Sequence, residues 1–403
     1  MTALAEQSND AMVDRLIAEG ALWSPRLIAA FRVTPRHCFL DRYFHFHRKR
    51  NRWEEIIIRD PDPEQIRIIY SDRAIITRVS SPGRIGAGQP ISSSSQPSLM
   101  AQMLEDLKLD PGMRVLEIGA GTGYNSALIA HVVGPDNVTS LDVDREILSE
   151  AWDHLRRFPE RRVTLKHADG RAGCCERAPF DRIIVTAATP DIEPAWLEQT
   201  RPEGIILAPC TFGPNMAYVL RGRVRGLEFC GEPTRAAYFM SLRAEGETGD
   251  PGEAISPAGW VSPTLQSRPA PWRGWFDGRR PRVSWLGFIH SLAFLGLMRG
   301  LNILRSNPLG KDSVFGISSG EAACWFEASE WNVTGDEGHQ LGLSLWGCFL
   351  KLGGPRPPDY RISAVPGAAL RAEQNGPASF VRHGGRCIQR WSIREDRERG
   401  NWL

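Results

Sequence analysis

The chain has 403 residues, 42% of them hydrophobic, and a formal net charge of +2 because 49 Lys and Arg stand against 47 Asp and Glu. This length allows two or three domains with proper cores, and the near balance of charge gives no global argument for a nucleic-acid partner. Eight cysteines without a C-x-x-C pair argue against a zinc site, a redox dithiol and a disulfide framework, so no metal is expected.

Nothing in the sequence predicts a membrane partner. The first ten residues contain no apolar signal core, and the most apolar window, 283–298, is too short to span a bilayer comfortably. We therefore expect a cytoplasmic protein with a buried helix in this window.

In the N-terminal part, apolar residues recur at helical spacing through 11–32, where Gly20 and Pro25 divide the pattern in two. An irregular stretch is expected from 40 to about 89. Its basic run, 45–52, predicts a solvated loop, with an acidic partner or a phosphate ligand as the alternative. Pro97 then fits the first turn of a helix, because its missing N–H needs no partner there.

Strands and helices alternate over the next part of the chain. This alternation predicts a parallel, doubly wound α/β sheet. Strands are expected at 114–118, 138–143, 163–167, 182–186 and 204–209, helices at 124–133, 145–157 and 194–199, and closing strands at 217–224 and 236–243.

The C-terminal part has a different character. Residues 244–271 are rich in proline and predict a linker. Nine of the chain's 13 tryptophans lie from Trp260 to Trp402. The patterns at 288–298, 313–317, 341–351, 360–365 and 380–391 predict an additional mixed α/β domain. These tryptophans either fill its core, which we expect for most of them, or form a partner interface.

The most informative segment is 115–124, in which a short apolar strand ends in Glu117 and the glycines 119, 121 and 123 follow. Such glycines let a ligand approach the backbone closely. A phosphate ligand would disfavour an acid here, whereas Glu117 suits a cationic ligand. S-adenosylmethionine carries a sulfonium and an ammonium group and no phosphate.

Two further acids follow predicted strands. Asp142 comes 19 residues after Gly123, a spacing at which an acid accepts hydrogen bonds from the ribose hydroxyls of an adenosine cofactor. Asp169 and Gly170 follow the third strand and could meet the adenine amino group. The alternatives are a nicotinamide cofactor, or a cap and a turn without a ligand; the Gly-x-Gly-x-Gly spacing together with Glu117 favours S-adenosylmethionine.

Four stretches in the expected order make residues 80–243 resemble the protein-L-isoaspartate O-methyltransferase family of class I methyltransferases. They are Ile-Ser-Ser-Ser-Ser-Gln-Pro at 91–97, the glycine loop at 115–124, Ala-Pro-Phe-Asp-Arg-Ile-Ile-Val-Thr-Ala-Ala at 178–188, and the run from Leu197 to Pro209. Upstream, Pro-Arg-His-Cys-Phe at 35–39 and Tyr-Ser-Asp at 70–72 also resemble family elements. We expect His37 to be structural.

The resemblance implies a class I methyltransferase sheet and a role for each matched residue. Ser95 matches the serine that contacts the substrate carboxylate, although the two extra serines in this loop let Ser93 or Ser94 take its place. Cofactor positions are matched by Glu117, Gly119, Gly121, Gly123, Asp142, Asp169 and Gly170.

Some parts of the chain depart from the family pattern. About 28 residues are inserted between Arg42 and Tyr70, and the last 160 or so have no counterpart in the plain repair enzyme. The expected division is therefore a substrate-side region at 1–90 with an insertion at 42–69, a methyltransferase domain at 91–243, a linker at 244–271, and a Trp-rich accessory domain at 272–403. The extended form resembles homologues associated with ribosomally made peptides, in which an aspartate methyl ester collapses to an aspartimide.

The expected reaction is methylation of an aspartate or isoaspartate carboxylate in a peptide or protein. A carboxylate with an unperturbed pKa of about 4 is already an anion at neutral pH, so no general base is needed. We expect a ribosomally made peptide as the substrate, with general repair as the first alternative. A cofactor-binding protein without turnover and a methyltransferase for small carboxylic acids are further alternatives.

Overall fold

The computed structural model describes residues 3–80, 88–158, 160, 162–213, 216–245, 247, 265–271, 285–299, 301–304, 316–320, 322–326, 330–352, 355, 357–366, 379–383 and 387–393. Within these ranges, no helix is long and apolar enough to cross a membrane.

The N-terminal part consists of helices and two antiparallel hairpins, β1–β2 and β3–β4. Its elements are α1 (Ala3–Ala18), α2 (Pro25–Val33), β1 (Arg42–His47), β2 (Arg52–Ile57), α3 (Pro63–Ile69), β3 (Ile75–Val79), β4 (Pro90–Ser94) and α4 (Pro97–Leu107). Pro97 stands at the start of α4, as the sequence predicts.

The prediction of an irregular stretch at 40–89 is wrong, because these residues contain the β1–β2 hairpin, α3 and β3. Cross-strand pairs stabilise this hairpin: His45 lies opposite Glu54 and Phe46 opposite Trp53. Such pairs leave little hydrophobic periodicity in the sequence, so the pattern gave no strand signal. The predicted insertion, 42–69, is therefore largely this hairpin and α3, and its basic run spans the turn of the hairpin.

The central part has the alternation that the sequence predicts. Its elements are β5 (Val115–Ile118), α5 (Tyr124–Val133), β6 (Val138–Asp142), α6 (Arg145–Leu155), β7 (Thr164–His167), β8 (Phe180–Val185), α7 (Pro194–Glu198), β9 (Thr200–Gly213), β10 (Met216–Arg225) and β11 (Glu228–Ala236). Strands β5 to β9 pair in parallel, and β10 and β11 follow as antiparallel strands. The expected α/β class with a class I methyltransferase sheet is confirmed.

The prediction of a closing strand at 236–243 is wrong, because the strand in this part of the chain, β11, is Glu228–Ala236. The following residues hydrogen bond instead to the loop after β8: Ala188 donates its N–H to Met240 O at 2.8 Å, and Leu242 donates to Ala188 O at 2.7 Å. The apolar side chains of this stretch line a cavity, which explains why their pattern resembled a strand.

The C-terminal part is mixed α/β, as expected. Its elements are β12 (Leu265–Pro269), α8 (Trp285–Met298), β13 (Asn302–Leu304), β14 (Gly316–Ser319), β15 (Ala322–Phe326), β16 (Glu330–Thr334), α9 (Gly335–Lys351), β17 (Tyr360–Pro366), β18 (Ser379–His383) and β19 (Cys387–Ile393). Most of the predicted linker, 248–264, lies outside the described residues, and β12 lies within its remaining length.

The C-terminal strands do not all form a sheet of their own. Strands β17, β19 and β18 extend the methyltransferase sheet, whose order is β18-β19-β17-β11-β10-β9-β8-β5-β6-β7, while β12 to β16 form a separate five-stranded sheet. The expected boundary at 272 therefore does not separate two sheets. One hydrophobic cluster joins both parts of the chain, with Trp196 and Phe229 on one side and Phe294 and Trp391 on the other.

The tryptophans of the C-terminal part serve mainly as core residues where the structure describes them. Trp325, Trp331 and Trp391 are each 2% exposed or less, and Trp346 packs partly buried against the same cluster. Trp260, Trp272, Trp275 and Trp402 lie outside the described residues. The side chains that can be placed thus support a core in preference to an interface.

Candidate active site

A cavity of about 770 Å³ opens at the carboxyl ends of β5 and β6. Its wall is formed by β4, the start of α4, the glycine loop after β5 and the stretch 235–243. Ligands of open α/β sheets bind outside the carboxyl ends of the strands, so this cavity is the expected place for a cofactor.

The glycine loop lines this cavity through Gly119 and Gly121, whereas Gly123 precedes α5 and does not line it. Gly119 has a φ of +100°, and a Cβ there would lie 2.5 Å from Thr186 Oγ1. Thr186 in turn donates its hydroxyl to Gly119 O at 2.7 Å and to Ile118 O at 3.0 Å. The threonine of the 178–188 stretch therefore fixes the shape of the loop.

Glu117 does not face the cavity, contrary to its predicted contact with the cofactor. It is fully buried, and its carboxylate accepts hydrogen bonds from Asn125 Nδ2 at 2.7 Å, from Ser140 Oγ at 2.6 Å and from Ser126 Oγ. Burial raises the pKa of Glu117, and these hydrogen bonds oppose that rise. Its role in this structure is to join the first turn of α5 to β6.

Asn125 is a cavity residue that the sequence reasoning missed. Its Nδ2 is used by Glu117, while its Oδ1 is buried and has no hydrogen-bond partner among the described residues. A buried acceptor without a partner is costly, so Oδ1 is suited to a donor on a ligand. A polar residue at the start of the helix after a glycine loop was the only signal that could have indicated it.

Asp142 lies where the sequence predicts it, at the end of β6 and on the cavity wall. Its carboxylate accepts from the N–H groups of Gly121 and Asp144, both at 3.1 Å. Burial raises the pKa of Asp142, while these two donors oppose the rise. The remaining lone pairs of the carboxylate can accept hydrogen bonds from hydroxyl groups.

Only one member of the predicted pair Asp169 and Gly170 reaches the cavity. The Asp169 carboxylate forms an ion pair with Arg171 Nη2 at 2.6 Å and does not line the cavity, so its predicted contact with adenine has no support. Gly170 does line it, and a Cβ there would overlap the side chain of Ile118. The ion pair with Arg171 is a local contact that the strand-end position does not indicate, and the adenine contact of Asp169 stays a prediction.

The serines of the 91–97 stretch alternate along β4 and just beyond it. Ser92 and Ser94 are buried, and their hydroxyls accept from Thr77 Oγ1 at 3.1 Å and from Arg36 Nε at 3.2 Å, respectively. Ser93 and Ser95 are half-buried on the cavity wall. Both predicted catalytic serines line the cavity, and Ser95 is the more exposed of the two, while the Ser94 hydroxyl oxygen already accepts from Arg36.

A fully buried arginine, Arg36, holds this serine stretch in place. Its guanidinium donates to Ser95 O at 2.8 Å, to Ser94 O at 3.1 Å and to Ile69 O at 2.7 Å. Burial lowers the pKa of Arg36 to about 10. Arg36 of the Pro-Arg-His-Cys-Phe element thus holds the serine stretch. His37 contacts Tyr70 Oη through Nδ1 at 2.6 Å, and its structural role stays a prediction.

The described residues contain no group of three or more His, Cys, Asp or Glu side chains that could hold a metal ion. The site consists of backbone, hydroxyl, amide and carboxylate groups. These groups can bind and orient ligands, and none of them forms a nucleophile–base pair that the structure records.

Comparisons with known proteins agree with this geometry. Residues 67–226 match the family described as protein-L-isoaspartate(D-aspartate) O-methyltransferase (PCMT). A solved protein-L-isoaspartate O-methyltransferase is 22% identical, with a TM-score of 0.50, and the match covers 88% of this chain and 96% of that chain. A putative protein-L-isoaspartate O-methyltransferase from Plasmodium falciparum, solved in complex with S-adenosyl-L-homocysteine, is 16% identical over 58% of this chain and 97% of that chain, with a TM-score of 0.43.

The first of these structures is similar in fold over most of the chain. A match over 88% of the chain must extend beyond residue 243. Part of the region after residue 243 thus has a counterpart in the fold of that structure, and the absence of a counterpart in the plain repair enzyme stays a prediction.

Proposed function

We propose that this protein, whose residues 67–226 match the protein-L-isoaspartate O-methyltransferase family, methylates isoaspartyl carboxylates in peptides or proteins with S-adenosylmethionine as the methyl donor. One observation carries the proposal: the segment that matches the family places Gly119, Gly121, Asp142 and Ser95 around a single cavity. Its volume of about 770 Å³ lies in the range of ordinary ligand sites.

The residues of the cavity fit the cofactor. The Asp142 carboxylate can accept hydrogen bonds from ribose hydroxyls, and Asn125 Oδ1, which has no partner among the described residues, can accept one from the ammonium group. At Gly119 and Gly170, the absence of a Cβ lets the backbone that lines the cavity pack closely against the side chains of Thr186 and Ile118. When bound, the cofactor supplies a methyl group on a sulfonium centre.

The chain itself must orient the substrate carboxylate and exclude water. The carboxylate is an anion at neutral pH, so no group has to remove a proton from it. Ser95 can donate one charge-assisted hydrogen bond that fixes the direction of a carboxylate oxygen. Orientation of this kind contributes on the order of 7–11 kcal/mol at best.

A methyl-transfer assay with a panel of substrates tests the proposal. The purified protein is incubated with methyl-labelled S-adenosylmethionine and with matched peptides that carry isoaspartate or aspartate at one position, and also with small carboxylic acids. We expect label on the isoaspartyl peptide and at least tenfold less on the aspartyl peptide. Labelling of the free acids alone would overturn the proposal, and cofactor binding without any transfer would indicate a protein that has lost turnover.

A ribosomally made peptide remains a second candidate substrate, supported by the position of the insertion. Trp53, on the inserted hairpin β1–β2, donates Nε1 to Gly88 O at 3.2 Å, next to the strand that carries the serines. The inserted hairpin thus lies beside a cavity wall, where it could contact residues that flank the methylated one. The C-terminal tryptophans no longer support this candidate, because the described ones are mainly core residues.

The choice of peptide substrate separates the two candidates, because the ester reacts in the same way in both. In either case the following backbone nitrogen can attack the ester carbonyl and form a succinimide, with methanol as the leaving group. A dedicated peptide-modifying enzyme would methylate an aspartyl peptide encoded beside its own gene and would leave the generic isoaspartyl peptide unchanged. Mass spectrometry then shows a gain of one methyl group followed by a net loss of water.

A further inference from the structure

The wall of the cavity carries few charges. Of the described side chains that line it, Asp142, Arg235 and Arg243 are the ones with a formal charge. Arg235 is already neutralised, because its Nη1 lies 2.6 Å from Oδ2 of Asp106, a side chain that is only 10% exposed. Arg243 therefore carries the remaining positive charge on this wall.

Arg243 forms no salt bridge with any carboxylate of the described residues. Its Nη2 donates to Ile91 O at 3.2 Å, and its electrostatic interaction with Asp142 is a minor one among those that act on that carboxylate. The backbone just before it is held firmly, since Leu242 donates its N–H to Ala188 O at 2.7 Å. The half-buried guanidinium of Arg243 is therefore a fixed cation at the cavity with hydrogen-bonding capacity left over.

We propose that Arg243 binds the carboxylate of the substrate in this cavity, an assignment that rests on the proposed function. A guanidinium matches a carboxylate in charge and geometry, and an anion that leaves water for a cavity needs such a partner. The contact with Ile91 places Arg243 beside β4, the strand that leads to Ser95. Arg243 and Ser95 then act on the same group from two parts of the chain.

This assignment gives the site a way to distinguish substrate from product. The substrate carboxylate carries a negative charge, whereas the methyl ester that replaces it is neutral. Transfer of the methyl group therefore removes the attraction to Arg243 at the moment the product forms. We expect the methyl ester to dissociate from the site more readily than the carboxylic acid does.

The test compares two peptides that differ only in charge. One carries isoaspartate, and the other carries isoasparagine, in which a neutral carboxamide replaces the carboxylate. Dissociation constants are measured by calorimetry with saturating S-adenosylhomocysteine, for wild type, Arg243→Gln, Arg243→Lys and Arg235→Gln. Thermal melting establishes that each variant is folded.

We expect wild type to bind the acid about 10- to 100-fold more tightly than the amide, as is typical of a charge-assisted hydrogen bond. Arg243→Gln should bind both peptides within about threefold of each other, Arg243→Lys should keep part of the preference, and Arg235→Gln should keep most of it. The affinity of Arg243→Gln for S-adenosylhomocysteine should stay within about twofold of wild type.

Two results would overturn the assignment. One is an unchanged preference for the acid in Arg243→Gln. The other is a weakened affinity for S-adenosylhomocysteine in this variant with the peptide preference intact, which would assign Arg243 to the carboxylate of the cofactor. Failure of the proposed function is seen separately, as absence of methyl transfer to the isoaspartyl peptide by the wild-type enzyme, and it would remove the basis of this assignment as well.

Discussion

Asn125 donates Nδ2 to Oε1 of Glu117 at 2.7 Å, and its own Oδ1 has no partner among the described residues. The buried carboxylate therefore orients a cavity residue without reaching the cavity itself. We therefore predict that Glu117 positions Asn125, in place of the direct contact with the cofactor that the sequence predicts.

Replacement of Glu117 by Gln tests this role. A single amide oxygen cannot accept from all three donors, so we expect the free energy of unfolding to fall by about 2–4 kcal/mol and cofactor affinity to fall with it. Asn125→Ala should weaken cofactor binding with a smaller loss of stability. Urea denaturation and titration with S-adenosylhomocysteine measure both quantities. If the Glu117→Gln protein has wild-type stability but binds the cofactor weakly, the result would instead indicate that Glu117 contacts the cofactor directly.

Gly119→Ala should weaken cofactor binding, because its Cβ would lie 2.5 Å from Thr186 Oγ1 at a φ of +100°. Gly112→Ala is the matched control. Its φ is +82°, with no atom within 4 Å of the added Cβ, so it should cost only about 1–2 kcal/mol of stability for the left-handed conformation. We expect at least a tenfold rise in the dissociation constant of S-adenosylhomocysteine for Gly119→Ala and no change for Gly112→Ala.

Alanine substitutions along 92–95 should separate the two faces of this stretch. Ser95→Ala is expected to lower kcat/KM for the isoaspartyl peptide by about 10- to 100-fold through loss of one charge-assisted hydrogen bond. Ser92→Ala and Ser94→Ala remove hydroxyls that contact Thr77 and Arg36, so they should mainly lower the melting temperature. If Ser93→Ala shows the large kinetic effect and Ser95→Ala does not, Ser93 is the substrate contact.

Asp41 should make stability depend on pH in the acid range. Its pKa is lowered to about 2, first by His154, whose Nε2 lies 3.3 Å from Asp41 Oδ2, and also by Arg157. Because the folded pKa lies below the unfolded value of about 4, this stabilisation is complete above that value and is lost as the pH falls towards 2. Its side chain is 51% exposed, so solvent screening reduces the expected contribution to about 1 kcal/mol or less.

Comparison of wild type with Asp41→Asn in urea at a series of pH values measures this contribution. The difference in free energy of unfolding should be largest near pH 6 and should shrink below pH 4. A difference that does not vary with pH would show that the ion pair is not its cause.

Asp191 should hold the C-terminal strands to the methyltransferase part of the chain. It is 1% exposed, and it accepts from Cys387 N and from Gln389 Nε2, both at 2.7 Å, across almost 200 residues of sequence. Asp191→Asn should lower the free energy of unfolding by about 1–3 kcal/mol, because its amide group cannot accept from both donors. In this variant, amide hydrogen exchange should be faster at 387–393 and at β17 than in wild type. Two independent melting transitions in the wild-type protein would contradict a shared core.

The sequence was sufficient for the central sheet because its strands have buried, near-continuous apolar runs, and the glycine loop and Asp142 could be assigned from spacing. The sequence was insufficient to predict the contacts of a side chain that is engaged by a local partner. Glu117 and Asp169 both follow strands, yet the hydroxyls of Ser126 and Ser140 engage the first and Arg171 engages the second.

The pairing of strands that are far apart in the sequence could not be predicted either. The register between β11 and β17 joins Cys230 to Ser363, and no local pattern indicates such a partner. Arg36 illustrates the same limit at the site, because the six groups it contacts lie 33 to 59 residues away along the chain. Composition suggested a separate Trp-rich domain; in the structure β17 to β19 extend the central sheet, while β12 to β16 form a sheet of their own.

A crystal structure of the protein with S-adenosylhomocysteine and an isoaspartyl peptide is the most direct test of the central claim, that one cavity brings donor and carboxylate together. We predict the adenosyl group beside Gly119 and Asp142, and the isoaspartyl carboxylate within hydrogen-bond distance of Ser95. A cofactor bound outside this cavity, or a peptide bound with its carboxylate away from the serine stretch, would contradict the account.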